Sequence, residues 1–127
     1  MIAGLLLMAA SAGAAHAHAD EQPINCGSCA KWNAPQAPFK LHGNSYYVGV
    51  GGLSSVLITT PNGHFLIDGG LPQSAEVIKQ NIQALGFDVR DVEWLLNSHA
   101  HYDHAGGLAS LQRMSGAPIA ASSKTLK

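Results

Sequence analysis

Apolar and polar positions divide the chain into a charge-free leader, a strand-rich stretch and an alternation of helices and strands. Ser45-Tyr46-Tyr47-Val48-Gly49-Val50, rich in aromatic and β-branched residues, predicts a strand that Gly51-Gly52 ends. Ser55-Val56-Leu57-Ile58-Thr59-Thr60 and His64-Phe65-Leu66-Ile67-Asp68 predict two more, joined as a hairpin by Pro61-Asn62-Gly63. Their nearly continuous apolar runs point to strands buried on both faces. After Gly69-Gly70 the period changes. Val77, Ile78, Ile82 and Leu85 share one helical face, with Ser74 as the cap, Glu76 in the first turn and Gly86 as the stop. A strand over residues 92–97, a short helix carrying Leu108, Leu111 and Met114, a stop at Gly116 and a strand over residues 118–121 follow. Residues 31–40, with Pro35 and Pro38, predict extended coil rather than a helix or a central strand. Strand, helix, strand, helix, strand is the order of an α/β layered sheet. The last strand is followed almost at once by Lys127, so the sheet reads as started but not closed.

Composition narrows the class. Of 127 residues, 46% are hydrophobic and 12% charged, with a formal net charge of −1. That charged share is about half of what soluble domains usually carry, which excludes a disordered polyelectrolyte. Near-neutrality removes the electrostatic basis for binding nucleic acid or an anionic membrane surface. Residues 1–19 contain no charged side chain, and their apolar run decays into small residues before it is long enough to span a bilayer. Ala15-His16-Ala17 and Ala17-His18-Ala19 both satisfy the small-x-small rule for signal peptidase. The leader is read as a signal peptide, residues 1–19, with an uncleaved apolar helix as the alternative. Export places the mature part, residues 20–127, in the periplasm, with no stable membrane association after cleavage. There disulfides are permitted. Cys26 and Cys29, the two cysteines, leave three readings: a local disulfide, pairing outside this chain, or a redox or zinc motif. The first is preferred, because the strand-to-helix context of a redox motif and further ligands for a Cys-type zinc site are missing nearby.

Chemistry concentrates in Ser98-His99-Ala100-His101-Tyr102-Asp103-His104, placed between a buried strand and a glycine-led helix. His99 and His101, two apart in extended chain, can point to one side. The turn into a helix then swings Asp103 and His104 to an adjacent position, so one short segment can feed two neighbouring cation sites. Imidazole with carboxylate favours zinc, with iron or manganese as the alternatives. His42 reads as a turn residue and His64 as the start of a strand. Asp68, at the end of an apolar strand, either orients a ligating histidine or caps a turn; spacing alone leaves both open.

These residues resemble the metallo-β-lactamase superfamily, whose signature is H-x-H-x-D-H between strand and helix. More narrowly, the chain looks like the third subclass of the class B enzymes. That likeness rests on Trp32-Asn33-Ala34-Pro35-Gln36-Ala37-Pro38-Phe39, on Leu71-Pro72-Gln73-Ser74, and on the segment from Asn97 to Gly107. The resemblance implies an αββα sandwich of two similar halves, of which this chain supplies the first. It implies two zinc ions, with His99 and His101 on one and Asp103 and His104 on the other. Each ion in the family takes one further His from later in the sequence. The implied reaction is hydrolysis of the β-lactam ring of antibiotics by activated water, which Asp103 also orients as a catalytic group. Asp68 is implied to support a ligand from behind, and Trp32 to border the substrate groove. A lactonase or a thioesterase like glyoxalase II is the alternative within the superfamily. The chain by itself is expected to be inactive, with two protein ligands per metal where catalytic zinc has three.

Overall fold

A computed structural model of the chain describes residues 22–123. The leader reading over residues 1–19, with its cleavage site, lies outside the described residues. The elements are α1 (Cys29–Trp32), β1 (Phe39–His42), β2 (Ser45–Tyr47), β3 (Val56–Ile58), β4 (His64–Ile67), α2 (Ala75–Ala84), β5 (Val92–Asn97), α3 (Tyr102–Ala105), α4 (Leu108–Ser115) and β6 (Ile119–Ala121). They build one six-stranded sheet whose spatial order, β1-β2-β3-β4-β5-β6, is the order along the chain. The first four strands run antiparallel to their neighbours. β5 and β6 add in parallel after crossovers through α2 and α4, as parallel pairing requires.

One face of the sheet carries the core. Leu57, Leu66 and Leu95, each fully buried, cluster with Ile78 and Ile82 of α2 and with Leu108 and Leu111 of α4. Burying each such side chain contributes about 1.5–3 kcal/mol. The helix stops are those the pattern predicts: Gly86 and Gly116 take φ of +87° and +77°, a region that side chains with a Cβ disfavour. Ser74 differs from the expectation of a side-chain cap. Its hydroxyl accepts the Leu71 N–H at 3.0 Å and donates to Asn33 Oδ1 at 2.6 Å, so it ties the start of α2 to the N-terminal segment instead.

Two further expectations need correction. The strands are not buried on both faces: exposure alternates along β3 and β4. Val56, Ile58, Phe65 and Ile67 stay half-buried and Trp94 is 44% exposed, because no layer of the described residues covers that face. Residues 31–40 are not coil throughout. Lys31 and Trp32 close α1, and Phe39 and Lys40 open β1, an edge strand whose Phe39 stacks on Tyr47 at 5.1 Å. Both prolines fall between these elements, where neither breaks a ladder. His42 ends β1, exposed, and starts the turn to β2. His64 opens β4, buried against Phe87 at a ring separation of 5.3 Å.

Cys26 and Cys29 form a disulfide that joins the chain before α1 to its first residue. Around it the N-terminal segment is pinned to the body. Ile24 exchanges two hydrogen bonds with the Gln73 side chain, and Asn81 Nδ2 donates to the carbonyls of Gln36, Val48 and Gly49. Among the described residues no helix is long and apolar enough to cross a membrane.

Candidate metal centre

Parallel pairing of β4 and β5 brings their C-terminal ends side by side, and the chemistry-bearing loops leave from that edge. Val56 opposite Ile67 puts the loop between β2 and β3 at the same end. After β5 the chain bends at Ser98 and runs through His99 and Ala100 without regular structure into α3, which His101 enters with φ −68° and ψ 152°. The loop then packs directly on the turn after β4. Gly69 N–H donates to the His104 carbonyl at 2.8 Å and Gly107 N–H to the Gly70 carbonyl at 3.1 Å. The two backbones approach so closely that a Cβ on Gly107 would sit 2.2 Å from the Gly69 carbonyl oxygen. Only glycine fits there.

This docking assembles the histidines. The His99 and His101 rings lie 4.2 Å apart, and the His99 and His104 rings 5.3 Å apart. His104 Nε2 is 3.6 Å from Asp103 Oδ2. His99 and His101 are exposed, while Asp103 and His104 are half-buried. The four candidate ligands are thus brought to one patch. Among the described residues, no group of three or more His, Cys, Asp or Glu side chains is arranged to hold a metal ion.

Behind the patch stands Asp68. It is a buried non-glycine residue at φ +60°, directly after β4. Its Oδ1 accepts the Ser98 N–H at 2.8 Å, and its Oδ2 accepts both the Ser98 hydroxyl and His104 Nδ1, the latter at 3.0 Å. A carboxylate only accepts, so Nδ1 of His104 carries a proton, and in the neutral imidazole Nε2 is the nitrogen with the lone pair. Of the two roles open for Asp68, the contacts are those of a residue that orients a histidine. Ser98, which sequence reasoning passed over, is the second partner of that carboxylate; adjacency to His99 was its one signal.

Trp32 lies at this end of the molecule, half-buried. Its carbonyl accepts the Gly52 N–H at 2.9 Å, and a Cβ on Gly52 would meet its Cα at 2.7 Å. These contacts tie it to the loop between β2 and β3, not to the histidines. Beside the metal loop runs a largely apolar groove of about 310 Å³, lined by Asn97, Ala100, Ala105, Leu108 and Ile119 among others. Asn97 Oδ1 is buried at this position without a hydrogen-bond partner.

A family model described as the metallo-β-lactamase superfamily matches residues 48–127. The chain belongs to that superfamily. It is 35% identical over 95 residues to an N-acyl homoserine lactonase, AttM, of Rhizobium radiobacter, covering 67% of this chain and 34% of that protein. Among solved structures, it is similar to the Rm3 metallo-β-lactamase at 64% identity and a TM-score of 0.77, covering 80% of this chain and 38% of that one. MEM-A1, a subclass B3 enzyme from a soil metagenome library, matches at 58% identity and 0.73, over 74% and 36%. A B3 enzyme with an active-site glutamic acid matches at 46% and 0.80, over 84% and 40%. Within the superfamily the likeness is therefore to subclass B3. The chain spans little more than a third of the length of these relatives, and its sheet with helices on one face is one part of the superfamily fold.

Superfamily members generally bind zinc, and the donor set can be tested against that ion. Ligand atoms about 2.1 Å from a tetrahedral zinc lie about 3.4 Å from one another. The 3.6 Å between Asp103 Oδ2 and His104 Nε2 is close to that separation and too long for a hydrogen bond. With Nδ1 of His104 occupied by Asp68, the nitrogen facing Asp103 is the one free to ligate. These residues fit a zinc ion as a pair of ligands and leave its other positions to groups outside the set.

Proposed function

We propose that the whole protein is an exported zinc hydrolase that opens the β-lactam ring of antibiotics. Residues 1–19 would serve as its signal peptide and residues 20–127 as the N-terminal part of its catalytic domain in the periplasm. The observation that carries the reading is the His99, His101, Asp103 and His104 patch on a chain 64% identical to a metallo-β-lactamase. His99 and His101 would hold one ion, and Asp103 and His104 the second. When bound, zinc supplies Lewis acidity to a carbonyl and to water. Asp103, half-buried at the start of α3, would accept a hydrogen bond from the attacking water and aim its lone pair at the lactam carbon. Asp68 keeps the His104 proton on Nδ1, so that Nε2 stays available. No Ser nucleophile is needed, since water is the attacking group.

The lactonase relative supports a second reading, hydrolysis of an acyl-homoserine lactone, which asks for the same attack on a ring carbonyl. Assay of the whole protein against a carbapenem and against such a lactone separates the two. Carbapenem turnover that a chelator abolishes is the expected result, and cleavage of the lactone alone overturns it. The 127-residue chain by itself is expected to give no measurable hydrolysis.

A further inference from the structure

We infer that Ser55 is a positioning residue for the His104 imidazole, acting through the backbone of Asp68. Ser55 lies in the loop before β3, 1% exposed, and its own carbonyl is engaged by the Val48 N–H at 2.9 Å. Its hydroxyl donates to the backbone carbonyl of Asp68 at 2.7 Å. Asp68 is the one described non-glycine residue with a positive φ, and the carboxylate of this same residue receives His104.

Such a backbone conformation persists only where its surroundings over-determine it. Here its N–H is fixed by the Leu96 carbonyl of β5 at 2.9 Å, and its carbonyl by Ser55. With both peptide groups clamped, the Asp68 side chain leaves the sheet in a single direction. That direction sets where Oδ2 meets His104 Nδ1, and hence where Nε2 points. Alanine fits the same space and lacks the donor. It leaves a buried carbonyl without that partner and lets the peptide after Asp68 rotate. A hydroxyl 44 positions from the nearest histidine of the patch in sequence thus controls the orientation of a ligand it does not touch.

The inference rests on reading His104 as a zinc ligand, and the test separates the two ideas. The ¹⁵N-labelled chain is examined first without metal, through the imidazole nitrogen and Nδ1–H signals of His104, and then during titration with zinc. The wild type is expected to show His104 with its proton on Nδ1. Ser55→Ala is expected to broaden or shift that signal and to weaken zinc binding about tenfold, the lower end of what losing a partner behind a ligating histidine causes. Ser55→Thr, which keeps the hydroxyl, is expected to restore both. A merely structural role would lower the thermal midpoint of the metal-free chain while leaving the folded-state imidazole signal and the zinc constant unchanged. That outcome overturns the proposal. If Ser55→Ala does not fold, Ser55→Cys carries the test, because its thiol keeps the volume and donates weakly; a wild-type His104 signal there also overturns it. Zinc that leaves the wild-type His104 signal unmoved refutes the ligand reading instead, and the metal-free spectra then decide the role of Ser55 alone.

Discussion

Asp68→Asn tests the arrangement behind the metal patch with the smallest change of shape. Asparagine tolerates a positive φ at least as well as aspartate, so the backbone turn at +60° is retained. Its carbonyl oxygen can still accept the Ser98 N–H, now made at 2.8 Å. The amide nitrogen then occupies the place of Oδ2 and confronts two donors, the Ser98 hydroxyl and His104 Nδ1–H. Donor against donor is relieved only if His104 moves its proton to Nε2, which removes the lone pair facing Asp103. Disturbing such partners weakens metal binding by 10- to 100-fold, or about 1.4 to 2.7 kcal/mol. Loss of one charge-assisted hydrogen bond should lower folding stability by about 2 kcal/mol. Competition with a chromogenic chelator reads the first quantity and urea unfolding of the metal-free protein the second. Wild-type zinc affinity in a folded Asp68→Asn protein, with the His104 proton still on Nδ1, would refute the reasoning.

Three other outcomes follow from the geometry. Gly107→Ala forces a Cβ to within 2.2 Å of the Gly69 carbonyl oxygen, so the metal loop should detach from the β4 turn at a cost above about 3 kcal/mol, visible as a fall in the urea midpoint. His99→Ala with His101→Ala removes exposed imidazoles; zinc binding at that pair should vanish while the circular dichroism and the unfolding midpoint stay within about 0.5 kcal/mol of wild type. Asp88 caps the turn before β5, and the Arg90 side chain and N–H hold its carboxyl down to about 2. Its lowered value makes its contribution present above the unfolded carboxylate range and lost as pH falls towards 2. Carboxyl NMR titration should show that midpoint, and Arg90→Ala should return it towards 3.8.

Elements whose causes are local were legible in the chain. Pro61-Asn62-Gly63 makes the hairpin turn, Gly86 and Gly116 stop their helices, and the histidine segment occupies the strand-to-helix junction its spacing implied. Contacts across long separations were not. α1 is four residues long and is held at its C-terminal side, where the carbonyls of Trp32 and, just past it, Ala34 accept the N–H groups of Gly52 and Gly51, which no helical periodicity announces. The uncovered sheet face was hidden because Val56-Leu57-Ile58 and Phe65-Leu66-Ile67 are apolar at every position, whatever covers them. Ser98 had only its adjacency to His99 as a signal and Ser55 none, because a serine acquires its meaning here from the carboxylate and carbonyl 30 and 13 positions away.

Because strand order in space repeats strand order in the chain, each strand pairs with the edge its predecessor left free. As the chain emerges N-terminus first, the antiparallel ribbon of β1 to β4 can close through short turns before β5 follows. β4 then waits with an open edge for the first crossover. Asp68 directly follows β4, so the template for the histidine loop precedes every histidine of that loop along the chain. Growth of the sheet and assembly of the histidine patch are in this way one vectorial event, and a slip in pairing β4 with β5 would misplace the histidines before it exposed the core.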